Sequence, residues 1–388
     1  MLRSKMLRSK TMRSKTSTPA ACQSQSGFSL IELMITLAVL LAVSAIVLSL
    51  AYTMTMNQAT IANRTDMHAS IRGVTEMLQQ EISQAGRITW PATAALCGGT
   101  AGCEFPFITT TGAVTVLSVD VTVSDASVLF PGERLIVGIG CPGGANDHSA
   151  PAGCEEIITV PPTYGGGTTI NGVTFSYSHP AGTQVRPAGA FAEGILPTGD
   201  GNVLKMFGDI NGDGNMVYIE YLCNPGTVAA PGDLKRIELP WNAGDVATAT
   251  QQTLVTNLLN NPDGDSDSFP DPCFSFQQKG SGITMDGQPC VGSTAPGPDT
   301  TGPDNCFFAL NVAVTLTART EFQDPQTRSW NDNTNETKAL LSVSPRNVFQ
   351  AWQLSQMPSG ADAPGQISGP LAHVQPTPMS IINHFNGN

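Results

Sequence analysis

Oxygen-bearing side chains at alternate positions give this sequence its clearest pattern for ligand chemistry. The pattern consists of Asp209, Asn211 and Asp213, and Glu220 stands at the twelfth position counted from Asp209. Carboxylate and amide oxygens with this spacing can converge on one hard cation, so we predict a calcium site. A polar hairpin turn that binds no metal is the alternative, because Asn, Asp and Gly tolerate positive φ. Residues 216–222 favour the turn, since their composition predicts a strand where an EF-hand would place a helix.

The other patterns give weaker support for ligand binding or catalysis. A second acidic run, at Asp263, Asp265 and Asp267, is a weaker calcium candidate because solvated acidic loops are common. Residues 138–143 match the GxGxxG pattern, but the Pro-Gly-Gly at residues 142–144, which overlaps its end, opposes the helix that a dinucleotide site requires. The five histidines show no metal-ligand spacing, and no motif pairs a nucleophile with a base. We therefore expect a protein that is not an enzyme.

The charge of the chain is divided between a basic N-terminus and an acidic remainder. The sequence has 19 Lys and Arg residues against 31 Asp and Glu residues. Residues 1–27 hold six of the basic residues and no acidic one, so the remainder carries 13 against 31, a net charge of −18. A body this acidic repels the phosphates of nucleic acids and anionic lipid headgroups. We therefore expect no nucleic-acid partner.

A long apolar run follows the basic N-terminus. It extends from Phe28 to Tyr52, and its one charged residue is Glu32. About 24 helical residues at roughly 1.5 Å each span ~36 Å, which is enough to cross the hydrocarbon core of a bilayer. Basic residues before the run predict a cytoplasmic N-terminus and an exported body. A carboxylate inside a membrane span costs on the order of 2.5–3.5 kcal/mol, so Glu32 needs a cationic partner.

The residues at the start of this run, GFSLIE from Gly27 to Glu32, resemble the processing site of type IV prepilins and of type II secretion pseudopilins. The resemblance implies cleavage after Gly27 by a prepilin peptidase and methylation of the new amine of Phe28. It also implies that the partner of Glu32 is the N-terminal amine of a neighbouring subunit. An ordinary N-terminal anchor that happens to contain a glutamate is the alternative.

The helix is predicted to continue beyond the membrane. Apolar residues recur at spacings of three and four from Met67 to Ala85, which predicts an amphipathic helix that ends near Gly86. The helix end, MLQQEISQAG at residues 77–86, resembles that of PilW-like minor pilins and J-type minor pseudopilins. Residues 340–348, LLSVSPRNV, resemble the last strand of the same proteins.

After the helix the apolar pattern changes to period two, which predicts strands. The predicted strands are residues 114–123, 135–137, 156–160, 173–177, 216–222, 234–239, 307–317 and 340–344. The fold class is therefore α+β and type IV pilin-like, with a long N-terminal α-helix packed on one antiparallel β-sheet body that has long disulfide-pinned loops. Residues 260–305 are the clearest insertion.

These boundaries predict four segments. They are a basic leader that is cleaved (1–27), a long helix (28–86), an exported β-rich body (87–356) and a Gly/Pro-rich tail that we expect to be mobile (357–388). Within the helix, residues 28–52 would lie in the membrane or filament core, and residues 53–86 would be amphipathic.

The sequence has nine cysteines, of which Cys22 lies in the basic segment. The other eight are Cys97, Cys103, Cys141, Cys154, Cys223, Cys273, Cys290 and Cys306. An even number in an exported chain predicts disulfides formed in an oxidising compartment. Two local pairs, Cys97 with Cys103 and Cys141 with Cys154, each enclose a short Gly-rich loop, and we predict both. Free buried thiols are the alternative, although the polar loops around these residues offer little core.

We therefore predict a PilW-like minor pilin that enters a type IV pilus from the bacterial inner membrane and acts in pilus assembly or initiation, or at the tip. Its N-terminus would face the cytoplasm and its body the periplasm until the subunit joins the filament at the cell surface. The predicted partners are major and minor pilins, the prepilin peptidase, the inner-membrane assembly platform and inner-membrane lipid, with Ca²⁺ as the candidate cofactor. A minor pseudopilin of type II secretion is the first alternative, and a membrane-anchored exported binding protein or enzyme is the second.

Overall fold

One long α-helix, α1, runs from Leu30 to Gln84. The computed structural model of the protein describes residues 27–99, 102–116, 118–138, 155–191, 193–196, 201–243, 249–264, 266, 269–280, 307–323, 336–355 and 374–385. The chain divides into two compact units, of which the first ends at Gln58 and the second begins at Ala59. The helix therefore contributes to both units, and its two parts differ in composition.

The described part of the first unit is apolar helix. From Phe28 to Met54 its large apolar side chains are more than half exposed, for example Leu30 at 78%, Leu40 at 63% and Leu50 at 61%. The helix is long and apolar enough here to cross a membrane. A continuous apolar surface of this size is unfavourable in water, so it suits a bilayer or the interior of an assembly. The predicted apolar helix is confirmed.

In the second unit α1 is amphipathic and buries one face. The buried residues, separated by three or four positions, are Met67, Ile71, Val74, Leu78 and Ile82. All but the first belong to one core with residues of the sheet described below. The predicted apolar stripe is confirmed.

Gly86 ends the helix, as the sequence predicts. Its φ of +79° lies in the left-handed region that favours glycine. Its N–H donates to the carbonyl of Phe207 at 2.9 Å, and its carbonyl accepts from the N–H of Phe191 at 2.9 Å. A Cβ on Gly194 would lie 2.2 Å from the Cα of Gly86, so two chain segments cross here at a contact that only glycine allows.

A small β domain follows the helix, and we call residues 90–187 the accessory domain. Its strands are β1 (Ile108–Thr109), β2 (Asp120–Thr122), β3 (Arg134–Val137), β4 (Glu156–Thr159), β5 (Thr169–Asn171) and β6 (Gln184–Pro187). They form a four-stranded sheet in the order β1-β6-β3-β4 and a two-stranded sheet of β2 and β5. The domain has its own core, which includes Trp90, Leu135 and Phe175. The predicted α+β fold, a long N-terminal helix with an antiparallel β body, is confirmed, but the strands of the body are divided among more than one sheet.

Two predicted strands of the accessory domain are wrong in part. The strand predicted for residues 114–123 is shortened to β2, with isolated bridges at Val114 and Val123. The strand predicted for residues 173–177 is irregular. Its alternating apolar residues are buried, which explains why the sequence resembles a strand. However, the N–H groups of Ser176 and Tyr177 donate to the Glu156 carboxylate and not to a neighbouring strand.

The larger antiparallel sheet, which we call the main sheet, packs against α1. Its strands are β8 (Ile195–Leu196), β9 (Val203–Gly208), β10 (Val217–Asn224), β11 (Gly232–Pro240), β12 (Gln251–Leu259), β13 (Phe274–Gly280), β14 (Phe307–Arg319) and β15 (Glu336–Val343). Their order is β13-β14-β12-β11-β10-β9-β8, and β15 also pairs with β14. The predicted insertion at residues 260–305 is wrong in part, because it contains β13.

The C-terminal part of the chain contains α2 (Arg346–Ser355), β16 (Val374–Gln375) and α3 (Met379–Phe385). Strand β16 pairs in parallel with β7 (Ala190–Phe191). The side chain of Gln375 donates to the carbonyls of Arg134 at 2.7 Å and Ala188 at 2.6 Å, and Ile381 is fully buried. The mobile tail that we predicted is therefore wrong for residues 374–385, because their apolar and amide side chains bind the body.

Candidate functional site

The predicted processing site lies in open backbone before the helix. Gly27, Phe28 and Ser29 precede α1, and the carbonyl of Ser29 accepts the N–H of Leu33 at 3.1 Å. A Cβ placed on Gly27 would meet no atom within 4 Å, and Phe28 is 78% exposed. Among the described residues, nothing therefore covers this part of the backbone.

Glu32 lies in the first turn of α1. It is four residues after Phe28, which corresponds to about 6 Å along a helix. Within the part of the chain that the structure describes, Glu32 has no hydrogen-bond or ion-pair partner. A carboxylate near a helix N-terminus is favoured by the helix dipole, but this does not replace a cation in an apolar setting. The geometry leaves Glu32 available for a charge from another molecule.

A cluster of charged and phenolic side chains fixes the second part of α1 to the main sheet. The Glu81 carboxylate accepts hydrogen bonds from Arg236 Nη2 at 2.8 Å and Arg236 Nε at 3.3 Å, and from the Tyr221 hydroxyl at 2.5 Å. Arg236 Nη1 also lies 2.6 Å from Glu238 Oε2. The side chains of Arg236 and Glu81 are only 10% and 12% exposed. We call Glu81, Tyr221, Arg236 and Glu238 the Glu81 cluster.

The electrostatics of the Glu81 cluster keep Tyr221 and Arg236 protonated, which is the state in which both donate hydrogen bonds to Glu81. Burial and the adjacent Glu81 charge raise the pKa of Tyr221, so its hydroxyl remains a donor. Burial alone would lower the pKa of Arg236, but hydrogen bonds and the charge of Glu81 outweigh it and raise that pKa. Our sequence reasoning missed this cluster. Its signal is that Arg236 follows Leu234 by two positions and therefore shares its inward face.

The structure separates the four predicted calcium ligands. Asp209 is fully buried, and its carboxylate accepts hydrogen bonds from the hydroxyl of Thr89 and from the N–H of Gly214, at 3.1 Å in the latter case. The guanidinium of Arg87 lies 3.6 Å from the same carboxylate. Protein donors and one cation thus already satisfy Asp209.

The other predicted ligands have separate partners. Asp213 Oδ1 accepts the N–H of Asn215 at 2.9 Å, as in a polar turn, and Asn211 donates to Glu238 at 3.3 Å. Glu220 accepts the Tyr218 hydroxyl at 2.8 Å from within β10. No group of three or more His, Cys, Asp or Glu side chains is placed to hold a metal ion in the described ranges. Calcium binding stays a prediction.

The weaker acidic run and the glycine pattern are described only in part. Asp263 Oδ1 accepts the N–H of Ser266 at 2.6 Å, whereas Asp265 and Asp267 lie outside the described residues. The glycine pattern at residues 138–143 also lies outside them from residue 139 onwards.

Two disulfides are present in the described residues. Cys97 pairs with Cys103, which confirms the first predicted local pair. Cys223 in β10 pairs with Cys273, the residue before β13, and this longer connection was not predicted. The predicted partners Cys141 and Cys154 lie outside the described residues, as do Cys290 and Cys306.

The accessory domain buries two carboxyl groups. Burial raises the pKa of Glu133 well above its usual value, and the Phe130 N–H and the Trp90 side chain offset only part of this shift. Glu156 Oε1 lies 2.6 Å from His179 Nε2, and both side chains are almost fully buried. Glu133 Oε2, Glu156 and His179 Nε2 bond partners inside the domain, whereas Glu133 Oε1 and His179 Nδ1 are buried without a hydrogen-bond partner among the described residues. We assign these groups a structural role.

The comparisons with known proteins concern the N-terminus. Residues 22–48 match the prokaryotic N-terminal methylation motif, which includes Gly27, Phe28 and Glu32. No curated protein and no solved structure matches the chain. The motif supports membership of the type IV pilin-like and pseudopilin class, and its position coincides with the open backbone before α1.

Proposed function

We propose that this protein is a minor pilin of the PilW-like group that is incorporated into a type IV pilus. The observation that carries the proposal is the N-terminal methylation motif at residues 22–48, which runs directly into an apolar helix long enough to cross a membrane. After cleavage following Gly27 by a prepilin peptidase, Phe28 would begin the mature chain and would be methylated. Before assembly, the subunit would reside in the bacterial inner membrane with its body in the periplasm.

Glu32 would direct the assembly step. Its carboxylate has no partner among the described residues, and removal of residues 1–27 creates a free amine at Phe28. The amine of an incoming subunit and the Glu32 of a packed one would form an ion pair in an apolar setting. A pair of this kind is stabilising only at close range, so it favours one axial register between subunits. Methylation leaves a secondary amine that still carries its charge.

The Glu81 cluster supports this function from the other end of the helix. It joins the helix to the main sheet through buried charged hydrogen bonds. The helix from Ala59 onwards and the main sheet would therefore move as one body during assembly. Major and minor pilins, the inner-membrane assembly platform and membrane lipid are the expected partners, and the body would act in pilus initiation or at the tip.

The same motif also favours a second function, as a minor pseudopilin of a type II secretion system. Deletion of the gene distinguishes the two, since loss of surface pili supports the pilin and loss of protein secretion supports the pseudopilin. If the protein is instead a membrane-anchored binding protein or enzyme, deletion of the gene would abolish a soluble activity but would leave surface pili and protein secretion intact. We expect no catalytic activity.

The test of the proposed assembly role is Glu32→Leu. The variant should be cleaved and inserted into the membrane, because Gly27 and Phe28 are unchanged, but it should be depleted from sheared filaments. Thr36→Leu, which removes a polar side chain one turn further along the same helix, is the matched control and should be incorporated like the wild type. Equal recovery of Glu32→Leu and the wild type in filaments would contradict the proposed role of the charge pair.

A further inference from the structure

A cleft of about 400 Å³ opens in the second unit, between two strands of the main sheet that diverge. One wall is formed by residues 253–257 of β12, and the other by residues 318–323 at and after the end of β14. The floor is formed by residues 59–71 of α1. The predicted site residues and the Glu81 cluster lie outside the lining of this cleft.

One edge of β12 is unpaired along the cleft. Strand β12 pairs with β11 over most of its length, but it pairs with β14 only at Leu258 and Leu259. The divergence begins beside Asn257, where the register with β11 shifts and φ is +62°. In the described part of the chain, residues 253–257 have no strand on their other side. Among the described residues, their outward N–H and C=O groups therefore have no strand partner, and this edge has the geometry to pair with an added strand.

The dimensions of the cleft fit a short extended peptide. The floor covers twelve helical steps, or about 18 Å at roughly 1.5 Å per residue. The unpaired edge covers five residues, or about 16 Å at roughly 3.3 Å per residue. A strand of about five residues would thus pair with the whole edge while its side chains face the helix and the solvent alternately.

The side chains around the cleft indicate the chemistry of the occupant. Met67 and Ile71 give the floor an apolar surface, and Phe322 is 66% exposed at the rim. Asp66 and Glu321 are exposed acidic residues. The one basic residue of the lining, Arg319, is buried, and its guanidinium donates to the carbonyl of Val228 at 2.5 Å. The exposed charge of the cleft is therefore negative.

We propose that this cleft binds an extended segment of a partner protein, in which apolar and basic residues alternate, by adding it to β12 as a strand. Main-chain hydrogen bonds to residues 253–257 provide the affinity, and the apolar floor with its acidic rim selects the segment. This inference does not depend on the processing of the N-terminus, so its failure and the failure of the proposed function are distinguishable.

The test uses the full-length protein in detergent and a fluorescent hexapeptide of alternating valine and lysine. Fluorescence anisotropy should show binding, and hydrogen exchange should slow at residues 253–257. The same peptide with N-methyl groups on every backbone amide keeps its charge but has no N–H group on either edge to donate to β12, so it should bind much more weakly. A valine-glutamate peptide should not bind.

Charge-reversal variants locate the site. The double variant Asp66→Lys with Glu321→Lys should weaken binding by about tenfold, which corresponds to two modest surface charge interactions. Glu104→Lys, an exposed acidic residue in the accessory domain, is the control and should bind like the wild type. The proposal is overturned by equal binding of the methylated peptide, by protection elsewhere in the chain, or by no binding at millimolar peptide. Strand β11 already protects the amides of residues 253–257 that face it, so only the outward amides test the edge, and their protection in the free protein would also overturn the proposal.

Discussion

Arg236→Met tests the attachment of α1 to the main sheet. The methionine retains most of the unbranched stem of Arg236 and its packing, but it removes the guanidinium from Glu81. Because the two side chains are only 10% and 12% exposed, Glu81 would become a largely buried carboxylate without its cation. Breaking a buried ion pair in this way costs about 3–5 kcal/mol, and we expect about 3 because the Tyr221 hydroxyl remains as a donor. Tyr221→Phe leaves the ion pair intact and should cost about 2 kcal/mol.

The assay is urea denaturation of the full-length protein in detergent, combined with hydrogen exchange of the α1 amides between residues 71 and 85. These amides should exchange faster in Arg236→Met than in the wild type. The control is Arg72→Met, since Arg72 pairs with Glu76 on the exposed face of the same helix, with side chains 81% and 59% exposed. We expect no measurable change for this control. A loss of stability in Arg236→Met no greater than that in Arg72→Met would refute the reasoning.

Three further predictions concern the body. Because burial raises the pKa of Glu133 above 4.5, the wild type loses stability as pH rises through the folded-state pKa. In thermal melts, Glu133→Gln should therefore be more stable than the wild type at neutral and alkaline pH, with a difference that vanishes towards pH 4.5. In denaturation experiments, Cys223→Ser should cost about 4 kcal/mol and Cys97→Ser about 2, because the first disulfide closes a sequence separation of 50 and the second one of 6. If calcium binds, it should raise the Tm of the wild type and leave the Tm of Asp213→Ala unchanged; no shift at millimolar calcium would leave only a polar turn.

The features that the sequence predicted are those with a local signal. The stripe from Met67 to Ile82 repeats with the period of a helix, and Gly86 marks its end. Strands β10, β11, β14 and β15 were recognised because each contains closely spaced apolar residues and has turn residues a few positions from its ends. The N-terminal methylation motif was recognised from the resemblance of residues 27–32, in which a glutamate interrupts an apolar run.

The features that the sequence did not predict depend on distant partners. Strand β1 pairs with β6, about 75 residues later in the chain, so nothing near either strand shows that they belong to a sheet apart from the main sheet. The bond between Glu81 and Arg236 spans 155 positions. The predicted strand at residues 173–177 failed because a carboxylate from β4 takes the N–H groups that a strand would pair. The calcium pattern did not show that Asp209 would be buried with its own donors.

Mass spectrometry of the mature N-terminus tests the central claim most directly. The protein, purified from membranes and from sheared filaments, should begin at Phe28 and carry one N-methyl group, because the methylation motif spans residues 22–48. Gly27→Asp, which places a charged side chain at the cleavage point, should retain the basic leader and provides the reference mass. A wild-type protein that begins at Met1, Met6 or Met12 in filaments would contradict the account.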